Sequence, residues 1–282
     1  MIGKTNAIAS TGNDDSVLES ILNKTITEIK IPNGATKIGI YFFQNCQNLQ
    51  SVTIPDSVTE IGAYSFQNCA ELLEFLPNEL PYGITKISSH VFEGCKKLSK
   101  IIIPDSVTVI EPNAFFDCQG LAELHVPNSV TEIGNMAFWN CKFTSVNIPN
   151  KLTVINNGVF MDCKLLQSAE LPKGVTTIGW RAFYNCRSLK TLTVPNTLIT
   201  IDDAFTICPS LEFVTLENGF NGNGLNLAAS TLYTAETIVS WLEALADRTG
   251  ETTYTLFIGA DNLAKLTEEQ IAIATAKNWT LA

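Results

Sequence analysis

Cys186-Arg-Ser-Leu189-Lys-Thr-Leu192-Thr-Val194-Pro195 decides the fold. In Leu192-Thr-Val194 the apolar side chains alternate, which is the two-residue period of a strand with one buried face. The proline ends the strand, because it has no N–H to give to a ladder. The same stretch recurs along the chain. Its cysteines stand at Cys46, Cys69, Cys95, Cys118, Cys141, Cys163, Cys186 and Cys208, at intervals of 23, 26, 23, 23, 22, 23 and 22 residues. Prolines at Pro32, Pro55, Pro81, Pro104, Pro127, Pro149, Pro172 and Pro195 keep that period. So do phenylalanines at Phe43, Phe66, Phe92, Phe115, Phe138, Phe160, Phe183 and Phe205. One cysteine per fixed interval marks a repeat position and not a disulfide framework.

The unit reads C-x-x-L-x-x-[VIL]-x-[VIL]-P-x-x-[VIL]-x-x-I-[G]-x-x-[AV]-F-x-[ND]-C. A single such coil cannot close a core. Stacked coils can, because equivalent side chains then form continuous ladders. The expected fold is a right-handed, β-rich solenoid of about eight coils, which at ~4.8 Å per coil runs to roughly 40 Å. The Ala-Phe pair before each cysteine is expected on a short helical or 3-10 turn. Asn45, Asn68, Gly94, Asp117, Asn140, Asp162 and Asn185 precede the cysteines. These residue types tolerate a left-handed backbone. Two irregularities fall between Cys and Pro: three extra residues around Leu76-Pro-Asn-Glu79, expected to bulge from the strand edge, and one residue fewer after Cys141.

Three segments follow: residues 1–24, a tail with a possible helical cap at Val17, Leu18, Ile21 and Leu22; residues 25–218, the repeats; and residues 219–282, of different style. In the last, Thr234 precedes Ile238, Trp241, Leu242 and Leu245 on one helix face. Tyr254–Ile258 reads as a strand, Thr267-Glu-Glu-Gln270 as a capping-box start for a helix through Lys277, and Trp279–Leu281 as a final strand. This β-α-β-α-β order is expected to continue the parallel sheet and to cover the end of the stack.

The chain is 45% hydrophobic with a net charge of −10, and nucleic-acid binders usually gather Lys and Arg on one face. The basic cluster, Lys96, Lys97 and Lys100, reads as a solvated face. No nucleic-acid partner is expected. Without a C-x-x-C pair, and with His90 and His125 the only histidines, no metal is expected either. No nucleophile motif or phosphate loop appears, so neither an enzyme nor a bound cofactor is expected. No apolar run reaches the ~18 residues of a membrane helix, so no membrane insertion is expected. The first fifteen residues carry Lys4 and no apolar stretch of secretory-signal type.

The repeat unit resembles the BspA-type leucine-rich repeat, over about Thr25 to Asn218. The resemblance implies a leucine-rich-repeat solenoid and a bacterial cell-surface interaction protein or adhesin, binding protein or glycan, with no catalytic motif to carry over. Residues 219–282 resemble the C-terminal extension of related gut-bacterial repeat proteins. The opening Ile2-Gly-Lys-Thr-Asn-Ala7 resembles the starts of some prophage-encoded structural proteins, which gives an alternative expectation, a tail-associated accessory protein.

Two candidate surfaces follow from the register. Alternation turns Lys30, Thr53, Ile102, His125, Asn147, Glu170, Thr193 and Thr215 outward on the strand face, without a charge stripe. The position after each ladder phenylalanine holds Gln44, Gln67, Glu93, Phe116, Trp139, Met161, Tyr184 and Thr206. Its four large apolar members, with Trp180 and Arg181 nearby, form a candidate contact patch, since Trp, Tyr, Met and Arg favour interfaces. The alternative is that these side chains cover the groove between coils as secondary core, and accessibility separates the two.

Overall fold

The computed structural model describes residues 26–76 and 79–282. The segment around Val17–Leu22, the opening at Ile2–Ala7 and the inserted Pro77-Asn78 lie outside the described residues. The chain divides into two compact units, up to Phe143 and from Thr144 onward.

Both units are stacks of parallel coils. In the first, Glu28–Lys30, Ser51–Thr53 and Glu74–Leu76 pair side by side, with Ile29 opposite Val52 and Val52 opposite Phe75. A second ladder on each coil joins Lys37–Ile38 to Glu60–Ile61, and another joins Lys86–Ile87, Val109–Ile110 and Glu132–Ile133. In the second unit Ser145–Val146, Ser168–Glu170, Thr191–Val194 and Phe213–Leu216 form one sheet. Val154–Ile155, Thr177–Ile178 and Thr200–Ile201 form the other. Residues one repeat apart are partners throughout these ladders, so the sequence period is the lateral register. Thr191–Val194 alternates exposed and buried, as its apolar pattern dictates. After the strand, the proline carbonyl accepts from the N–H three residues on, as in Val58 N to Pro55 O at 3.0 Å and Leu198 N to Pro195 O at 3.2 Å. Proline thus stops the strand and opens the turn.

Ladder residues fill the core. The phenylalanine rings stack coil on coil, with centroids 5.3 Å apart for Phe43–Phe66, 5.4 Å for Phe115–Phe138, 5.2 Å for Phe160–Phe183 and 5.3 Å for Phe183–Phe205. Each is fully buried, worth roughly 1.5–3 kcal/mol per side chain. At the lengthened repeat Phe66 and Phe92 separate to 5.9 Å, and Phe75 packs its ring edge against both. Glu74–Leu76 pairs back to Ser51–Thr53, whereas Glu79 pairs forward to Ile102. The insertion therefore falls between two ladder contacts. At the shortened repeat, buried Phe143 packs edge-on against Phe138.

The turn that carries the Ala-Phe pair corrects one expectation: it is neither α-helical nor 3-10. N–H groups alternate in direction. Those of Phe42, Gln44 and Cys46 donate back three residues within the coil, to Gly39, Tyr41 and Phe43. Those of Tyr41, Phe43 and Asn45 donate to Ala63, Ser65 and Gln67 of the next coil. Half the donors therefore serve the stack, which a continuous helix would not allow. The geometry places a positive φ two residues before each phenylalanine and again just before each cysteine, at 60° for both Tyr41 and Asn45. These are the third positions of successive tight turns, where type II geometry demands φ above zero.

All eight cysteines are buried free thiols. Cys69, Cys95, Cys118, Cys141, Cys186 and Cys208 each donate to the carbonyl of the ladder phenylalanine one coil back, as Cys69 does to Phe43 at 3.1 Å and Cys186 to Phe160 at 3.2 Å. That carbonyl already accepts the N–H of its own coil's cysteine, as Phe43 O accepts Cys46 N. The thiol fills its second lone pair from a side chain small and apolar enough for the core.

Parallel pairing continues through the C-terminal segment, at Thr200 with Asn223, Phe220 with Leu245 and Asn226 with Phe257. Three helices occur there: α1 (Ala235–Ala244), α2 (Ala260–Leu263) and α3 (Glu268–Ala276). Thr234 caps α1, and Thr267 and Gln270 form the reciprocal capping box of α3. Trp241 of α1 is buried, and its indole N–H donates to Val214 O at 2.8 Å, which ties the helix to the last repeat strand. Tyr254–Leu256 pairs in parallel with Trp279–Leu281.

Candidate interaction surfaces

On the strand face, Lys30 lies beside Thr53 and Thr53 beside Leu76, and Glu79, Ile102 and His125 follow one another. In the second unit Glu170, Thr193 and Thr215 form a row of exposed side chains. Asn147 is half-buried at its position. Leu76, 40% exposed, also belongs to this face. The insertion obscured it, because it displaces the repeat pattern at that point. The basic cluster is neutralised: Lys96 pairs with Asp117, Lys97 with Glu71 and Lys100 with Glu123, at 3.8, 2.5 and 3.9 Å.

On the turn face, every residue that follows a ladder phenylalanine is half-buried. Gln44 donates to Gln67 at 2.5 Å, and the rings of Phe116 and Trp139 meet edge to face at 4.5 Å. Sequence reading overlooked a second row, the left-handed position three residues earlier: Tyr41, Tyr64, His90, Asn113, Met136, Gly158, Arg181 and Asp203. Its signal was the same period, counted two residues before the phenylalanine. The tight turn brings the two rows together, so His90 hydrogen-bonds Glu93 and Thr206 hydrogen-bonds Asp203. In the first unit the second row builds an aromatic stack. Tyr41 lies on Tyr64 at 4.8 Å and Tyr64 on His90 at 4.4 Å, while Asn113 meets the far nitrogen of His90 at 3.2 Å.

In the second unit the two rows meet at Arg181 and Tyr184, with Trp180 beside them. The Arg181 guanidinium carbon sits 4.4 Å from the Trp180 ring centre and 4.6 Å from that of Tyr184. Its Nε is shut off from solvent without a hydrogen-bond acceptor, and the nearest carboxylate, Asp203, is 3.6 Å away. The Trp180 N–H is held by the Asn157 side chain at 2.8 Å. Trp180 is 39% exposed, more than any of the four large apolar stripe residues. Met161 occupies the stripe one coil before Tyr184 and is half-buried. Beyond Thr206 an open depression is lined by Ile207, Pro209, Asn226, Ala228 and Ala229, none of them titratable.

Among the described residues, no three His, Cys, Asp or Glu side chains converge as metal ligands, and no helix is long and apolar enough to cross a membrane. Burial lifts four of the thiols above their ordinary range. Desolvation pushes Cys208 up to about 12, and Cys95, Cys118 and Cys186 rise for the same cause. These four cysteines are therefore held as thiols and not as nucleophilic thiolates.

A leucine-rich repeat protein from T. pallidum is 32% identical, over 58% of this chain and 78% of its own, with a TM-score of 0.54. One from Bacteroides ovatus covers 90% of this chain and 69% of its own at 21% identity and a TM-score of 0.58, a likeness of fold. No curated protein matches the chain. The family model for the BspA type leucine rich repeat region matches residues 20–142 and 85–212, together more than half of the sequence. With its repeat spacing, paired coils and free core thiols, the chain belongs to the BspA-type leucine-rich repeat family.

Proposed function

We propose that this chain is a non-enzymatic, surface-associated adhesion module that binds protein or glycan partners through Trp180, Arg181 and Tyr184. The observation that carries the reading is the arginine flanked by two aromatic rings, one of them 39% exposed. Such a cluster presents π-faces and N–H donors on a preordered backbone, which lowers the entropy cost of contact. Stacked rings suit sugars, and Trp, Tyr and Arg are the residue types that dominate protein hot spots. Family membership supports a binding role in kind, as analogy of fold. The remaining stripe residues, Phe116, Trp139 and Met161, are proposed as further contact positions, and the polar strand face as a surface for extended partners.

A panel of immobilised extracellular-matrix proteins and neutral and acidic glycans, probed with the full chain, tests this. At least one should retain the wild-type chain and lose it when Trp180 and Tyr184 are replaced by Ser. Retention that ignores both residues would move the site elsewhere.

A further inference from the structure

Five Asn-Gly pairs occur in the chain, at residues 33–34, 157–158, 218–219, 221–222 and 223–224, three of them within seven residues. In such a pair the backbone nitrogen of the glycine can attack the asparagine side-chain carbonyl carbon. The reaction needs two free groups, the carboxamide and the following N–H. In the folded chain four of the five pairs have one or both engaged. The Asn157 carboxamide oxygen accepts the Trp180 N–H, and Gly158 N donates to Trp180 O at 2.9 Å. Gly219 N donates to Ala244 O at 2.8 Å. The Asn221 carboxamide accepts from Arg248. Gly34 N donates to the Ser57 hydroxyl at 3.2 Å, at an exposed site.

Asn223 differs. Its side chain is exposed, and among the described residues neither its carboxamide nor the Gly224 N–H has a hydrogen-bond partner. Gly224 is fixed by the fold: its φ is +88°, and a Cβ there would lie 2.2 Å from Ile201 O. The coil thus requires the one residue that leaves the neighbouring asparagine open to attack.

We propose that Asn223 is a site of spontaneous deamidation, with water as the only co-reactant. Gly224 N gives its proton to solvent and bonds to the Asn223 side-chain carbonyl carbon. The bond from that carbon to Nδ2 breaks, and ammonia leaves with a proton from solvent. Water then opens the five-membered imide to aspartate or isoaspartate, with no change in oxidation state. The isoaspartate puts an extra methylene into the backbone at a ladder residue, since Asn223 N donates to Ile199 O at 2.9 Å and Asn223 O accepts Ile201 N at 3.0 Å. Ageing at this residue therefore loosens the junction between the last repeat and the C-terminal coils.

The test is to hold the full chain at mildly alkaline pH and 37 °C and map deamidation by mass spectrometry with fragmentation that separates residues 218, 221 and 223. Asn223 should convert first and Asn33 next, each hydrogen bond that must open costing roughly fivefold to tenfold in rate. In urea the five rates should converge. The aged protein should melt below fresh protein, whereas fresh Asn223→Asp should not, because it adds the charge without the methylene. Conversion of Asn157 or Asn218 in the folded chain as fast as Asn223, or aged protein that melts no lower than Asn223→Asp, would overturn the proposal.

Discussion

The Sγ of Cys186 donates to the carbonyl oxygen of Phe160 across 3.2 Å, one coil back in the stack. Both residues are ladder positions, so the bond recurs wherever the period holds. Ionisation of such a thiol would remove the donor and leave a buried charge. The folded-state values of Cys95, Cys118, Cys186 and Cys208 are raised above the ordinary 9.0, to about 12 for Cys208. A raised value means that the thiols' contribution is complete below pH 9 and is lost as the pH climbs from there toward 12. Urea unfolding at pH 7.5, 9 and 10.5 should show little change over the first interval and a marked fall over the second. Thiol counting should give eight groups in denaturant and almost none reacting in the native state. Equal stability at all three pH values would refute the burial of the thiols.

Lys277 sets the C-terminal segment in place. Its ammonium donates to Leu242 O, Glu243 O and Leu245 O at 3.2, 2.5 and 2.9 Å, at the end of α1, whose own last turn has no basic residue. A cation there satisfies open carbonyls and opposes the negative end of the helix dipole. Lys277→Met keeps most of the stem and removes the charge. It should cost about 2 kcal/mol in denaturant unfolding. A loss below a few tenths would show the contacts to be incidental.

Two glycines should behave oppositely. Gly94 has φ +70°, and a Cβ there would lie 2.5 Å from the Asn68 carboxamide oxygen. Gly94→Ala should destabilise by about 1–2 kcal/mol. Gly174 is exposed, meets nothing within 4 Å and lacks a positive φ. Gly174→Ala should be neutral or stabilise by about 0.5 kcal/mol. Equal responses in thermal melts would contradict the turn geometry.

Truncation after Asn218 removes Phe220, Trp241 and the bond from Trp241 to Val214 O, and bares the strand Phe213–Leu216. An open apolar strand edge pairs with other chains. Light scattering should show aggregates at concentrations where the full chain is monodisperse. A truncated chain that remains monomeric would show that the segment does not act as a cap.

The repeat was legible because one physical period governs several ladders at once: Phe183, Cys186 and Pro195 each recur, and each recurrence has its own steric reason. The left-handed residues before the cysteines were legible from Asn, Asp and Gly. The second left-handed row was not, because Tyr41, Tyr64 and Arg181 are poor formers of that conformation, held there as their N–H groups donate to carbonyls of the next coil. For the same reason a helix was expected where a turn ladder exists. The stripe from Gln44 to Thr206 was named from its period, but its pairing with the row three residues earlier depends on turn geometry that side-chain identity does not encode. Lys277 at the end of α1 joins residues more than thirty positions apart, which no local pattern reveals.

The proposed binding role rests on Trp180, Arg181 and Tyr184 as a contact cluster, with Trp180 exposed and Arg181 and Tyr184 half-buried, and not as cover for the core. A Trp180→Ser, Tyr184→Ser chain, compared with wild type for partner retention and for Tm in parallel, separates the two. Exposed cation–π contacts are worth only about 0.5–1 kcal/mol each. Partner binding should therefore fall at least tenfold while Tm drops by no more than a few degrees. Unchanged binding, or a collapse of Tm with no folded protein left to bind, would contradict the role of this cluster.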